Sequence, residues 1–198
     1  MQTNSEQAVS EEALLQGLKA HEAWACETLI ANYAEMVFRV CYRILQDEQE
    51  AEDAMQETFL TVYRSIDNFR GDAKLSSWLY RVATNKALSM LRTQKRKQGQ
   101  NVPLETDEGD ELPVADAYAI VPEEFLLRQE SAELLQRGLE AMSPKLRAAL
   151  ALYEIEGLSM KETAEALGIS ESAAKLRVHR GRQFLQTYLA QHLQEAIA

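Results

Sequence analysis

The segment from Leu158 to Arg182 constrains the fold more than any other stretch of this chain. It reads LSMKETAEALGISESAAKLRVHRGR. Ser159 and Glu162 have the spacing of a capping box, which predicts that a helix begins there. Gly168 suits the left-handed conformation that ends a helix, and Ser170 can cap the next one. Two helices joined by such a turn form a helix-turn-helix, a motif whose second helix enters the DNA major groove.

The second predicted helix has one apolar face that can pack on other helices, and its basic residues lie outside that face. Its small and apolar side chains recur at helical spacing: Ala174, Val178, Gly181 and Leu185. Farthest from that stripe lie Ser172, Leu176 and Gln183. Residues 172–182 carry four basic side chains and no acidic one, although the net charge of the chain is −10. This local positive charge favours contact with DNA phosphates. The alternative is a solvated basic helix in an ordinary bundle.

The composition predicts an all-α protein. The chain of 198 residues is 46% hydrophobic, contains only 8 glycines and 4 prolines, and lacks the alternation typical of strands. It has no apolar run as long as a membrane span and no signal-peptide pattern in MQTNSEQ, so we expect a cytoplasmic protein without membrane insertion.

Candidate catalytic and metal sites are missing from the sequence pattern. There is no Cys-x-x-Cys, no glycine-rich phosphate loop and no obvious nucleophile–base pair. We therefore expect no metal, no cofactor and no enzymatic activity. Cys26 and Cys41 are fifteen residues apart, about 22 Å along a straight helix, so we expect two unpaired core cysteines.

Charge divides the chain into sections. Gln98 to Val121 contains six acidic residues, no basic residue and two prolines, which predicts a flexible linker. Pro122 suits the first turn of a new helix. The sequence therefore predicts two small helical domains, 1–97 and 122–198, joined by the acidic linker 98–121, with the helix-turn-helix in the second.

The first domain is predicted to contain four helices, near 11–19, 22–45, 49–66 and 75–97. Asp47 and Glu50 form a second capping pattern at the start of the third helix. The inner face of this helix is apolar: Ala51, Ala54, Met55, Thr58, Val62 and Ile66. The opposite face carries Asp53, Gln56, Glu57 and Arg64, with Leu60 among them. Single exposed leucines are common, but one among charges can also be the centre of a docking patch.

The fourth predicted helix follows an aromatic and glycine-containing loop. Residues 73–100 carry seven basic side chains and no acidic one, and Phe69, Trp78 and Tyr80 lie beside that charge. Aromatic rings next to cations are typical of single-stranded DNA binding, because bases stack on the rings and the backbone follows the charge. The alternative places Trp78 and Tyr80 in the hydrophobic core. Polar side chains share one side of the helix: Arg81, Asn85 and Arg92.

Taken together, these segments resemble the extracytoplasmic-function (ECF) group of bacterial sigma factors in the sigma-70 family. DAMQETFLTVYRSIDNFRGD and SSWLYRVATNKALSMLR are similar to the second conserved region of the family. SPKLRAALALYEIEGLSMKETAEALGISESAAKLRVHRGR is similar to its fourth region. Two long motifs in the right order, with an acidic linker between them, are much more specific than a helix-turn-helix alone.

The resemblance implies a function for each surface. The partner would be core RNA polymerase, with its β′ and β subunits. The third helix would dock on the β′ clamp helices through Asp53, Gln56, Glu57, Leu60 and Arg64. The −10 promoter element would be opened and held as single strands by Phe69, Trp78, Arg81, Asn85, Arg92 and Lys95. The −35 element would be bound as duplex by Ser172, Lys175, Leu176, Arg177, His179 and Arg180. Relatives are often held by an anti-sigma factor, which the resemblance implies as a further partner.

The recognition helix departs from the family pattern. Many relatives have Gly-Thr-Val before its basic residue and serine after it, whereas this chain has Ser172-Ala173-Ala174 and Leu176. A groove-facing leucine would contact a thymine methyl group instead of accepting a hydrogen bond. Two rival functions remain: a stand-alone helix-turn-helix regulator, and a sigma-like interaction protein without promoter activity. The first accounts for only the last fifty residues.

Overall fold

The computed structural model describes residues 9–71, 73–97 and 129–197. Every regular element in these ranges is helical, which confirms the predicted all-α class. The helices are α1 (Glu11–Lys19), α2 (Ala23–Leu45), α3 (Glu48–Ser65), α4 (Leu75–Lys97), α5 (Gln129–Ala141), α6 (Pro144–Leu150), α7 (Met160–Leu167) and α8 (Glu171–Ile197). A short 3₁₀ turn, Ile66–Asn68, follows α3, and a π-turn, Ala151–Ile155, continues α6.

The junction between α2 and α3 is a cap-to-cap connection. Gln46 ends α2 in the left-handed conformation (φ 60°), and the Asp47 carboxylate accepts a hydrogen bond from the Glu50 amide at 2.8 Å. This confirms Asp47 as the N-cap. The reciprocal half of the predicted box is wrong, because the Glu50 carboxylate accepts a hydrogen bond from Gln94 of α4. A tertiary contact has taken the place of the local one.

Helices α2, α3 and α4 pack around a common apolar core, and α1 lies against α2. The apolar face predicted for α3 points inward, with Ala51, Ala54 and Val62 buried. Cys41 is buried in α2, and burial raises the pKa of its thiol to about 12. Cys26 is half-buried, and neither cysteine is in a disulfide. Cys41 is thus a core residue, as expected, whereas Cys26 is only partly buried.

The two helical halves pack against each other. Helix α4 contacts α7, and α2 contacts α6 and the π-turn. Buried side chains of both halves belong to one continuous apolar cluster that includes Leu79, Leu152 and Val178. The sequence predicts two domains separated by a linker and contains no signal for this contact. The predicted linker 98–121 and the predicted helix start at Pro122 lie outside the described residues.

Candidate nucleic-acid and docking surfaces

The helix-turn-helix forms from local capping, as predicted. The Ser159 hydroxyl accepts a hydrogen bond from the Glu162 amide at 3.2 Å, and the Glu162 carboxylate accepts one from the Ser159 amide at 2.9 Å. The Ser159 hydroxyl also donates a hydrogen bond to the Glu162 carboxylate at 2.6 Å. This bond and the one from the Ser159 amide lower the pKa of Glu162, because both favour the charged carboxylate. The capping box at the start of α7 is confirmed.

The turn between α7 and α8 uses the two predicted residues. Gly168 ends α7 in the left-handed region, at φ 67° and ψ 35°, which other residues adopt only at a cost. Ser170 then caps α8, since its hydroxyl accepts a hydrogen bond from the Ala173 amide at 3.2 Å. A residue without a side chain and a short hydroxyl residue thus fix the angle at which α8 leaves the turn.

Helix α8 presents its basic residues away from the core. The predicted stripe packs inward: Ala174, Val178 and Gly181 are buried. On the outer side Ser172, Lys175 and His179 are exposed, and Leu176 is 46% exposed. Arg177 and Arg180 are half-buried at the flanks. The predicted duplex-contacting side chains therefore all keep part of their surface exposed on α8.

Arg182 belongs to a different environment, although it continues the basic run. Its guanidinium pairs with the Glu154 carboxylate and lies 5.6 Å from the centre of the Tyr153 ring. This places Arg182 against the π-turn, inside the C-terminal half. The contact stabilises the seating of α8 on that turn.

The basic surface of α4 is also exposed. Arg81, Asn85 and Arg92 lie on the surface, as their spacing predicts, and Lys95 is half-buried. Arg81, Asn85 and Arg92 are exposed while α4 is packed against α7, so the contact between the halves does not cover them.

The two aromatic side chains beside this surface differ in how far they are exposed to solvent. Trp78 is half-buried, whereas Phe69 is only 7% exposed and stacks on Trp78 with ring centres 5.0 Å apart. Tyr80 is also half-buried, and both Trp78 and Tyr80 pack against the edge of the core, so neither is fully buried as the alternative interpretation held. Phe69 therefore supports the Trp78 ring from below and does not present its own face to solvent.

The outer face of α3 is built as the sequence predicts. Asp53, Gln56, Glu57, Leu60 and Arg64 are all exposed, and Leu60 retains 45% of its accessible surface. The Glu57 carboxylate forms an ion pair with Lys86 of α4 at 3.4 Å, which fixes its position on the rim. Leu60 is thus a large apolar side chain surrounded by polar and charged neighbours on this surface.

An apolar groove beside this face was not predicted. Its volume is about 460 Å³, and its walls come from three helices: Leu18 of α1, Cys26, Leu29 and Ile30 of α2, and Met55, Gln56, Phe59, Leu60 and Tyr63 of α3. Ile30 and Tyr63 are exposed along its edge. The sequence pattern could not reveal the groove because its walls meet only when α1 crosses the α2–α3 pair. The groove extends the apolar part of the α3 surface around Leu60.

A polar cluster joins the two halves on another side of the molecule. The Glu156 carboxylate accepts hydrogen bonds from Arg39 Nε at 3.2 Å, from Arg39 Nη2 at 2.9 Å and from the Tyr80 hydroxyl at 3.3 Å. The hydrogen bond to Glu156 raises the pKa of Arg39. Burial, together with the same carboxylate, raises the pKa of Tyr80 to about 12. These residues were not among the predicted functional residues.

Two general features of the described residues bear on chemistry. None of their helices is both long and apolar enough to cross a membrane. Within the same ranges, no three side chains of His, Cys, Asp or Glu lie together in a way that could hold a metal ion.

Family models match both halves of the chain. Residues 29–97 match Sigma-70 region 2, and residues 132–185 match Sigma-70, region 4. The first match covers α3 and α4 with the loop between them, and the second covers the helix-turn-helix.

Curated relatives extend the similarity over most of the chain. An ECF RNA polymerase sigma factor, SigE of Mycolicibacterium smegmatis, is 36% identical over 85% of this chain, which spans 63% of that protein's length. SigW of Bacillus subtilis is 33% identical over 81% of this chain and 87% of its own length. The RNA polymerase sigma-H factor of Pseudomonas aeruginosa is 30% identical over 94% and 97%.

Two solved structures share the fold. CnrH, in complex with the cytosolic domain of CnrY, aligns with a TM-score of 0.61 at 21% identity, covering 91% of this chain and 97% of that chain. The sigma factor RpoE of Bartonella quintana, in complex with the anti-sigma factor NepR, also aligns with a TM-score of 0.61, at 20% identity over 83% and 96%.

Proposed function

This chain belongs to the ECF group of the sigma-70 family, and from that premise we propose how its surfaces divide the work of an alternative RNA polymerase sigma factor. The observation that carries the proposal is the presence of three separate exposed surfaces, on α3, α4 and α8, which lie within the two ranges that match the family models. A stand-alone regulator would need only α8.

The α3 surface docks on the β′ clamp helices of core polymerase. Leu60 supplies the apolar centre, and the groove beside it accepts further apolar side chains of the clamp. Asp53, Gln56 and Arg64 surround Leu60 and set the register of the two helices, while Glu57 is held by Lys86.

The α4 surface captures the −10 element after the strands separate. Trp78 offers one ring face to an unstacked base, because Phe69 fills the space behind the other. Asn85 has a donor and an acceptor for a base edge, whereas Arg81, Arg92 and Lys95 line the path of the phosphates. In this arrangement Phe69 acts as a positioning residue for Trp78.

The α8 surface binds the −35 element as duplex. Lys175, Arg177, His179 and Arg180 contact phosphates and base edges in the major groove, and Ser172 lies near the helix start. Leu176 is exposed at the centre of this surface, where an apolar side chain suits a thymine methyl group.

The two DNA surfaces cannot act together while the halves stay packed. The centres of the −10 and −35 elements lie about 25 base pairs apart, or roughly 85 Å at 3.4 Å per base pair. A packed helical unit of this size is roughly 40 Å across. The 31 residues between α4 and α5, 98–128, have a contour length of roughly 100 Å, enough to cover that distance. Engagement of both elements therefore requires the halves to separate.

The remaining features fit a regulated cytoplasmic factor. The Bartonella quintana sigma factor of similar fold is bound to an anti-sigma factor, and we extend this kind of partner to the present chain. Its target is the α3 surface and the adjoining groove, so that the inhibitor and polymerase exclude each other.

Paired protein and promoter variants test this division of work. Trp78→Ala should abolish opening of the −10 element, measured by permanganate reactivity of unpaired thymines, while footprinting at −35 persists. Arg180→Ala should weaken the −35 footprint and leave opening intact on a promoter with a strengthened −10 element. Equal loss of both signals in either variant would contradict the assignment of separate surfaces.

A further inference from the structure

One buried carboxylate holds the two halves of the chain together. The Glu156 side chain is 2% exposed, and Arg39, which donates two hydrogen bonds to it, is 43% exposed. Arg39 belongs to α2 and Tyr80 to α4, so both partners of Glu156 come from the N-terminal half. Arg39 also pairs with Glu35, one turn earlier in α2, at 3.0 Å, but the Glu35 side chain is 88% exposed, so this surface pair contributes little.

The hydrogen bonds of this cluster form in only one relative orientation of the two halves. A buried carboxylate is costly unless it is paired and hydrogen-bonded, and a bidentate guanidinium satisfies both oxygens only in one orientation. When the halves separate, Glu156 gains water and Arg39 loses its partner. The cluster therefore stabilises one packed arrangement of the halves and adds nothing to the folding of either half alone.

The π-turn places this carboxylate at the boundary. The Glu156 amide donates to the Ala151 carbonyl at 3.0 Å, the wider hydrogen bond of a π-turn, and Gly157 follows with φ 69°. Two glutamates on this segment then face different partners: Glu154 pairs with Arg182 inside the C-terminal half, and Glu156 pairs with Arg39 across the boundary. π-turns are often found at functional sites, where they shift the direction of a side chain.

We propose that Glu156, Arg39 and Tyr80 form a latch that sets the balance between the packed form of the free protein and the separated form that polymerase and promoter DNA bind. The proposal rests on the function proposed above, because it assumes that the separated form is the active one. The latch raises the ratio of packed to separated molecules, and it lowers the apparent affinity for core polymerase by the same factor. It gives the free protein a low activity without any inhibitor.

Single substitutions at the latch should raise the affinity for polymerase. Glu156→Gln removes the ion pair but keeps an amide that can hydrogen-bond, and we expect roughly tenfold tighter binding. Arg39→Gln leaves a buried carboxylate without its cation in the packed form, so its effect should be larger, roughly thirtyfold or more. The exchanged pair Arg39→Glu with Glu156→Arg should restore part of the wild-type balance.

Two neighbouring carboxylates provide matched controls. Glu154→Gln removes an arginine pair two residues away that does not cross the boundary, and Glu35→Gln removes the partner of Arg39 within α2. Both should bind polymerase within about twofold of the wild-type affinity, since neither carboxylate joins the halves.

The separation of the halves is measured independently of polymerase. Dyes are attached to cysteines introduced by Glu52→Cys in α3 and Thr187→Cys in α8, in a Cys26→Ser background, and single-molecule energy transfer counts the separated molecules across a urea series below unfolding. The latch variants should show more separated molecules at each urea concentration than wild type and both controls. Equal populations in wild type, Glu156→Gln and Arg39→Gln, all with native helical content, would overturn the latch. If no form of the protein binds core polymerase, the proposed function fails, and energy transfer still decides the latch.

Discussion

Replacing Leu60 with aspartate should abolish binding to core polymerase without unfolding the protein. Leu60 retains 45% of its accessible surface, and complete burial of a leucine contributes up to about 3 kcal/mol. Covering the remaining surface in a complex therefore contributes about 1 kcal/mol, which Leu60→Ala would lose. Aspartate adds an unpaired carboxylate at the centre of the interface, at a further cost of about 3 kcal/mol. Together these terms weaken binding by roughly a thousandfold.

The assay is a fluorescence titration of labelled protein with core polymerase in the absence of DNA. Leu176→Asp is the matched control, because Leu176 has nearly the same exposure, 46%, on the recognition helix. It should leave core binding unchanged. Both variants should remain folded at the assay temperature and unfold within a few degrees of wild type and of each other, since about half of each leucine side chain is already exposed.

Two results would contradict docking through Leu60. If Leu60→Asp binds core polymerase within threefold of wild type, the α3 surface is not the docking site. If Leu176→Asp weakens binding as much as Leu60→Asp, a new negative charge anywhere on the protein is sufficient, and the position of Leu60 explains nothing.

Three further predictions concern the recognition helix and the packing that supports it. Arg180→Ala should weaken binding to the −35 duplex, and the magnitude of the slope of log affinity against log salt should fall by about one. Arg180→Lys should keep the slope. An unchanged slope in the alanine variant would exclude a phosphate contact. Ser159→Ala should lower the free energy of unfolding by about 1 kcal/mol at pH 7. Because Ser159 lowers the pKa of Glu162, the part of this difference that comes from the carboxylate should be complete above the unfolded pKa of a glutamate and be lost as the pH falls through the lower folded pKa. The part that comes from the capped Glu162 amide should remain, and a difference that grows in acid would contradict the prediction. Gly17→Ala should destabilise the protein by about 1–3 kcal/mol, because its Cβ would lie 2.5 Å from a tryptophan ring carbon. Gly181→Ala, whose Cβ would have contacts no closer than 3.5 Å, should stabilise α8 by up to about 1 kcal/mol through helix propensity. Urea unfolding of both variants measures the two free energies, and equal changes in both would contradict the packing difference.

Local signals explain what could be predicted from the sequence. Both ends of α7 and the start of α8 are determined by Ser159, Gly168 and Ser170. Their capping contacts lie within four residues in the chain, so the local sequence pattern is sufficient to predict them. The same holds for the outer face of α3, because helical spacing alone separates Leu60 from Val62.

Contacts between distant residues could not be predicted in the same way. Glu50 has the right spacing for a capping box with Asp47, but Gln94 of another helix competes for its carboxylate. Phe69 is next to basic residues in the sequence and nevertheless lies beneath Trp78. Arg39 and Glu156 are 117 residues apart, and no periodicity connects them. The packed arrangement of the halves depends on contacts of this kind.

Multi-round transcription with purified core polymerase and a library of promoter fragments tests the central claim most directly. The protein should direct transcripts from a limited set of fragments that share one −10 and one −35 sequence at a fixed separation, and Leu60→Asp should remove every transcript. The account is contradicted if core polymerase with the wild-type protein starts no transcript above the background of core alone, or if Leu60→Asp supports the same set.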